Sequence, residues 1–319
     1  MNYFVLLQSK MKKHSYKEWF AATRYWSFPV STMPLVVTFA YLFAKGMVPS
    51  GWMPWVILVL SLLGVVLLHA AGNLLSDWFD YRSGVDNKDA FAVPNLVFGK
   101  FQPKEYLVFS IILFIVGSLL GFCVIAFPPL FGSVGGGIGV LVVGIIAVAL
   151  TALYSFLKYH ALGDLNIFII FGVLTVIGLG YAVTSSWCWD ALVLSVPIGI
   201  ITVSVLHANN TLDIPTDRAA GIRTFAMVIG ERASVVLYCC YMVLPFLCVI
   251  GAVIAGLLPP LALVCLLAGI KAYRNLRQAA SYPTVGREAM KMLDFHSSQL
   301  QLMFSLLLAV GLVVSHWVK

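Results

Sequence analysis

Two short polar runs interrupt an otherwise oily chain. Asn73, Asp77, Asp80 and Asp86 close one long apolar segment, and Asn209, Asn210, Asp213 and Asp217 close another. Within each run Asn, Asp and the next polar residue, Tyr81 or Asp217, recur every four positions, so on a helix they share one face. A carboxylate at the end of a membrane helix is costly to leave unpaired. Sets of hard oxygen donors suit Mg2+, which keeps part of its coordination shell for water and phosphate oxygens. The two runs therefore read as a clamp for a magnesium-bound diphosphate. Asn73, Asp77, Asp80, Asn209, Asp213 and Asp217 are the expected metal ligands, with two ions, one per run. For a single run the plainer reading is a helix cap or a solvated loop; two copies at equivalent places favour the functional one.

These residues need a membrane scaffold, and the composition supplies it. Of 319 residues 61% are hydrophobic and only 10% charged, and the mean hydropathy is +0.96, far outside the range of water-soluble domains. The expected fold is all-α: a polytopic bundle of nine spans around a central cavity, at 28–44, 55–79, 106–127, 134–156, 165–183, 191–210, 233–257, 259–273 and 298–318. Residues 1–319 read as one transmembrane domain. Its basic leading segment, 1–24, has no apolar run of the kind that a cleavable signal requires.

With this division, 18 of the 20 basic residues fall on one side, leaving Lys45 and Lys319 on the other. The positive-inside rule makes that side cytoplasmic, with the N-terminus inside and the C-terminus outside, in a bacterial inner membrane. Twelve of the 13 acids lie on the same side, Asp190 being the exception, so both Asp runs open to one compartment. The net charge of +7 reports topology and anionic lipid headgroups. It does not point to nucleic acid, because no soluble element interleaves basic and aromatic residues. The six cysteines lack CxxC or Cys/His spacing and read as small buried hydrophobes.

The repeat of the two runs, each followed by a glycine (Gly84, Gly221), suggests two related helical halves around a shared cavity. Three long cytoplasmic loops, 80–105, 211–232 and 274–297, are candidates for a cap over it, with Pro94, Pro103 and Pro215 excluding uninterrupted helix in the first two. Asp86 and Asp89 read equally as supporting acids or as a solvated turn with Asn87 and Lys88. His207 reads equally as structural or active-site, and His296 as structural. Gly135, Gly136 and Gly137 lack the Lys-Ser/Thr of a phosphate loop and read as close packing.

Taken together, the sequence resembles the UbiA-type intramembrane aromatic prenyltransferases, and most closely their 1,4-dihydroxy-2-naphthoate polyprenyltransferase branch of menaquinone synthesis. The branch's first motif is matched by Asn73, Leu74, Asp77, Asp80, Gly84 and Asp86, and its second by Asn209, Asn210, Asp213, Asp217, Gly221 and Thr224. The segment Ser27–Pro34 is similar to the family's opening element, Tyr154 to Lys158 to its Tyr-x3-Lys element, and Leu162-Gly163-Asp164 to its Leu-Gly-Glu. The chain departs from the branch at Leu212 (arginine expected), Ile222 (lysine expected) and Asp164 (glutamate expected), so an acceptor outside that branch stays open.

The resemblance implies Mg2+-dependent transfer of a polyprenyl group from polyprenyl diphosphate to an aromatic ring carbon. The acceptor would be 1,4-dihydroxy-2-naphthoate, with decarboxylation to a demethylmenaquinol; 4-hydroxybenzoate, haem or chlorophyll-type acceptors are alternatives. Asp77, Asp80, Asp213 and Asp217 would hold the metal, Lys158, Arg223 and Arg24 the diphosphate, and Tyr154 the diphosphate or the allylic cation. Asn73, Asn209, Asn210 and Asp164 complete the expected substrate contacts. The rival from another class is a secondary transporter, whose ionisable groups would sit near the bilayer midplane.

Overall fold

The computed structural model describes residues 14–86 and 95–318. Lys10, Lys12, Lys13, Asn87, Lys88, Asp89, Pro94 and Lys319 lie outside the described residues. Among those described there is no strand, only helices and their connections.

Seven helices are long and apolar enough to cross a membrane. Six of them are α2 (Pro29–Ala44, entered through a 3-10 turn at Tyr25–Ser27), α3 (Met53–Ser83), α4 (Pro103–Leu130), α7 (Gly163–Thr184), α8 (Trp189–Leu212) and α10 (Glu231–Ile254). The seventh is α12 (Leu293–Trp317). Nine long spans were expected, and the remaining two are shorter. The fourth is α5, Ile138–Ala152, only 15 residues. The eighth is a nine-residue 3-10 segment, Pro260–Ala268, running into α11 at Gly269–Ala279; the 3-10 rise of about 2.0 Å per residue lets so short a segment reach further than an α-helix would. The smaller helices are α1 (Tyr16–Ala22), α6 (Tyr154–Tyr159) and α9 (Ile214–Ala219).

The ends of the two motif helices are written in the sequence. α3 stops at Gly84, whose φ of 75° is a left-handed cap that a side chain would disfavour. α8 stops at Asp213, and Pro215 sits in the first turn of α9, where its missing N–H costs nothing. The expected close packing at the triple glycine is met: a Cβ on Gly136, at φ 66°, would lie 2.7 Å from the carbonyl oxygen of Ile125.

α3 packs along α4, α12 along α2, and α8 between α10 and α12. The main core runs through α2, α8, α10 and α12 and includes Leu42, Ile198, Ile201, Met242, Phe304 and Leu308, all almost wholly buried. A second cluster fastens the leading segment to α3 and α4, where Trp19 lies against Phe101 and Phe109 at ring-centroid distances of 4.6 and 4.7 Å. Many large apolar residues on α4 and α5 face outward, among them Ile115, Leu119, Phe122, Ile138 and Ile145. This is the reverse of a water-soluble surface and the normal face of a helix against lipid.

Candidate active site

The C-terminal ends of α3 and α8 meet at one cavity of about 350 Å³. Its upper wall is polar: Arg24, Asn73, Asp77, Asp80 and Asp86 from the first half, and Lys158, Tyr154, Asn209 and Asp213 from the second. The floor is apolar, with Val30, Ile167, Ile170, Phe171, Val205 and Leu206. A π-helical stretch, Phe168–Leu174, widens α7 there and carries Ile170 and Phe171. All three long loops reach the cavity, through Val85, Asp86 and Asn95, through Asp213 and Thr216, and through Asp294.

The first run is closely partnered. Arg24 has φ 54° and ψ 49°, a left-handed conformation uncommon outside glycine. Its guanidinium makes an ion pair with Asp77. That neighbouring charge, with Asp86 and Asp80, raises the Arg24 pKa above the usual arginine range against the opposing effect of burial. Asn73 donates from Nδ2 to the Thr23 carbonyl at 2.9 Å and to Ser27 Oγ at 3.3 Å, so its amide holds the Arg24 turn in place and its Oδ1 remains for a ligand. Asp80 accepts from Lys158 Nζ at 3.3 Å and from the Tyr159 hydroxyl at 2.6 Å. Burial alone would lower the Lys158 ammonium; Asp80, Tyr154 and Asp217 more than offset this and hold it above the ordinary lysine range. Burial pushes the Tyr154 hydroxyl up to about 12, so it acts as a donor at neutral pH.

The second run has no basic partner: among the described residues no Lys, Arg or His forms an ion pair with Asp213 or Asp217. Burial pushes Asp213 up to about 7 and Asp217 to about 6, with Lys158 opposing in both cases. Asp217 Oδ2 is buried with no hydrogen-bond partner.

The expected residues divide into two groups. Asn73, Asp77, Asp80, Lys158, Tyr154, Asn209, Asp213 and Arg24 line the cavity; Asp217, Asn210, Asp164 and Arg223 do not. Asp164 was expected at the substrate but instead faces His207, whose Nδ1 lies 2.7 Å from its Oδ2, and Asn210 turns to the same carboxylate at 3.5 Å. His207 Nε2 continues to Ser234, so this fully buried network ties α7, α8 and α10 together behind the second run. Arg223 is exposed, and its backbone N–H donates to the Tyr159 carbonyl at 3.2 Å; it adds structure to the cap and no charge to the cavity wall.

Several cavity residues escaped the sequence reading, among them Asp294 and His69. His69 lines the cavity one turn before Asn73. Continuing the four-residue spacing of Asn73 and Asp77 backwards into the apolar span would have found it.

The donor set fits magnesium in kind. Carboxylate and amide oxygens from two helices face one space, with no thiolate and no close imidazole pair. Among the described residues no three His, Cys, Asp or Glu side chains converge tightly enough to cage an ion. This agrees with an ion that takes most of its ligands from diphosphate and water and few from protein.

The family model for the UbiA prenyltransferase family matches residues 33–299. UbiA prenyltransferase domain-containing protein 1 of Ailuropoda melanoleuca is 32% identical over 257 residues, covering 75% of this chain and 70% of the relative. Its human counterpart is 31% identical over the same shares. Among solved structures, a UbiA homolog from Archaeoglobus fulgidus bound to GPP and Mg2+ superposes with a TM-score of 0.52 over 91% of this chain and 99% of that one, at 10% identity. A second structure of that archaeal homolog, bound to DMAPP and Mg2+, also gives 0.52. These two sequence relatives are animal proteins of one name, so neither the naphthoate branch nor a bacterial membrane draws support from them. On the extent of the family match and of these identities, the chain belongs to the UbiA prenyltransferase family.

Proposed function

We propose that the cavity between α3 and α8 transfers a prenyl group from a magnesium-bound prenyl diphosphate to an aromatic acceptor. The observation that carries this reading is the convergence of both Asn/Asp helix ends on one space with a polar roof and an apolar floor. The archaeal fold neighbours, bound to GPP or DMAPP with Mg2+, support it.

Asn73, Asp77 and Asp80 on one side and Asn209 and Asp213 on the other would hold Mg2+, one ion per run, with Asp217, expected as a ligand, buried off the cavity and backing Asp213. Bound there, the metal supplies positive charge that neutralises the departing pyrophosphate. Lys158 and Arg24 add fixed cations at the same wall and bind diphosphate oxygens. The Tyr154 hydroxyl donates to that group, and its ring faces the allylic cation. The floor accommodates the prenyl chain and the flat acceptor and keeps water from the cation.

For the acceptor we favour 1,4-dihydroxy-2-naphthoate, on the motif spelling at Leu74, Asp80, Asn209 and Asn210. The ring carbon bearing the carboxylate attacks, and loss of CO2 restores aromaticity. The substitutions at Leu212 and Ile222 keep other hydroxyarenes in the test. Purified protein given Mg2+, a polyprenyl diphosphate and each acceptor separately should yield a prenylated, decarboxylated product from the naphthoate. Product from 4-hydroxybenzoate alone would overturn the acceptor and keep the clamp; no product from any hydroxyarene would overturn both. The basic residues further support a cytoplasmic active site, so a cysteine at position 45 should be labelled from the opposite side of sealed vesicles.

A further inference from the structure

The reaction leaves one proton unassigned, and the floor of the cavity holds one imidazole. A hydroxyarene attacks an allylic cation best as its phenolate, or when its O–H bond gives up its proton as the new bond forms. Of the acids at the cavity, Asp77 and Asp80 are paired with cations and Asp213 is proposed as a metal ligand, while Asp86 and Asp294 enter from the loop side, at the roof. His69 lies one turn, about 6 Å along the helix axis, below Asn73 and lines the cavity where the apolar floor begins.

The hydrogen bonds around His69 orient its ring. Ser31 Oγ has the Phe28 carbonyl at 3.1 Å and Ser27 Oγ the Arg24 carbonyl at 2.7 Å, so each hydroxyl is anchored to the backbone beside the ring. His69 Nδ1 is 2.9 Å from Ser31 Oγ, while Nε2 is 3.3 Å from Ser27 Oγ, which already accepts from Asn73. Nδ1 thus has the closer partner and Nε2 the longer contact, so Nε2 is the nitrogen that a hydroxyl entering the cavity can engage, with the proton carried on Nδ1. The ring is held between Phe28 and Phe171, at centroid distances of 5.7 and 5.4 Å, so it cannot swing away.

We propose that His69 Nε2 accepts the ring-hydroxyl proton of the aromatic acceptor. The prenyl C–O bond breaks and its electron pair leaves with pyrophosphate. A ring π pair forms the new C–C bond, the O–H pair becomes a ring C=O, and the proton passes to His69. Loss of CO2 from the prenylated carbon leaves its bonding pair in the ring as a C=C bond, the C=O pair returns to the oxygen, and the imidazolium gives its proton back to that oxygen. This assignment rests on the prenyl-transfer reading above and names the group that activates the acceptor.

The test compares His69→Gln with the wild type on 1,4-dihydroxy-2-naphthoate and on a ring-fluorinated analogue with a more acidic hydroxyl. His69→Gln should lower kcat by about 100-fold, within the usual range for a lost general base, and leave binding of prenyl diphosphate with Mg2+ unchanged. The loss should shrink at least several-fold on the fluorinated acceptor, a change that a purely structural role would not produce. A wild-type rate, or equal losses on both acceptors, overturns the assignment and leaves the prenyl-transfer reading intact. A wild type that prenylates neither acceptor overturns both. Should His69→Gln fail to fold, Ser31→Ala, which removes the closer partner of the ring, should show a smaller loss with the same dependence on hydroxyl acidity; loss without that dependence overturns the proposal.

Discussion

The two acidic runs share a spelling and differ in company. On α3, Asp77 faces Arg24 and Asp80 faces Lys158 and Tyr159, so protein cations already balance both carboxylates. On α8 and α9, half-buried Asp213 and buried Asp217 have no ion-pair partner among the described residues, and desolvation lifts both pKa values. Two runs that share an Asn and an Asp four residues on, with a second Asp three or four residues further, thus make one neutralised anionic site and one uncompensated one. The comparison teaches that sequence symmetry fixes where the oxygens are, while their charge state comes from elements far away in the chain, here the segment before α2 and the short helix α6.

If the second run depends on metal for its charge balance, Asp213→Asn should damage turnover more than any single change in the first. We expect a rate loss of about 10²–10³-fold, the usual scale for removing one group that stabilises developing charge. Volume and fold should be preserved, because the change removes charge and little else. Chelation of Mg2+ should abolish turnover altogether. Full activity in excess chelator, or a near-normal rate for Asp213→Asn, would break the contrast.

The first run should show the opposite balance, with a large structural cost. Lys158→Ala leaves Asp80 buried without its cation, and breaking such a pair costs about 3–5 kcal/mol. Melting temperature should fall, and the KM for the prenyl donor should rise. Replacing both partners, Lys158→Met with Asp80→Leu, should recover much of the stability and none of the activity. A double variant as unstable as Lys158→Ala would show that packing, not charge, sets the cost.

Part of this site was legible in the sequence, and the limits have physical causes. The motif residues at helix ends were visible because polar side chains spaced by four in an apolar span are too costly in lipid to persist without a role, and Asn73, Asp77, Asp80, Asn209 and Asp213 all line the cavity. Lys158 and Tyr154 came through the family resemblance, since nothing local says that a lysine after the fourth span reaches Asp80. Asp164 was misassigned because its partner, His207, lies 43 positions away and helix packing alone brings them together. His69 was overlooked inside a span judged by hydropathy, which averages away a single polar face. Seven of the nine expected spans are long helices; the other two are short because 3-10 geometry and a 15-residue helix have no distinct mark in hydropathy.

Arg24 offers a smaller effect that sharpens the contrast from the other side. Its guanidinium serves Asp77, while its backbone bears the cost of a left-handed conformation. Arg24→Ala should raise the KM for prenyl diphosphate and leave the strain in place. Arg24→Gly should lose the same charge and relieve the backbone, melting higher than Arg24→Ala by the equivalent of about 1 kcal/mol. Equal melting temperatures would show that the turn relaxes once the side chain is gone.

The smallest effect should be the share of the pH dependence that the second run carries. A carboxyl group whose pKa is raised by folding favours the folded state while protonated, so its contribution is fully present below its ordinary value near 3.8 and is lost as pH rises through its folded value. For Asp213 that folded value is about 7, and for Asp217 about 6. Metal-free protein should therefore melt at a higher temperature at about pH 5 than at about pH 8. Asp213→Asn should flatten the difference, because an amide has no proton to lose. Mg2+ should act in the other direction: it competes with protons for the same oxygens, so it should stabilise most at about pH 8 and least at about pH 5. A stability profile that Asp213→Asn leaves unchanged would mean that the second run is charge-balanced after all, and the difference between the two runs would then lie only in which partner each one uses.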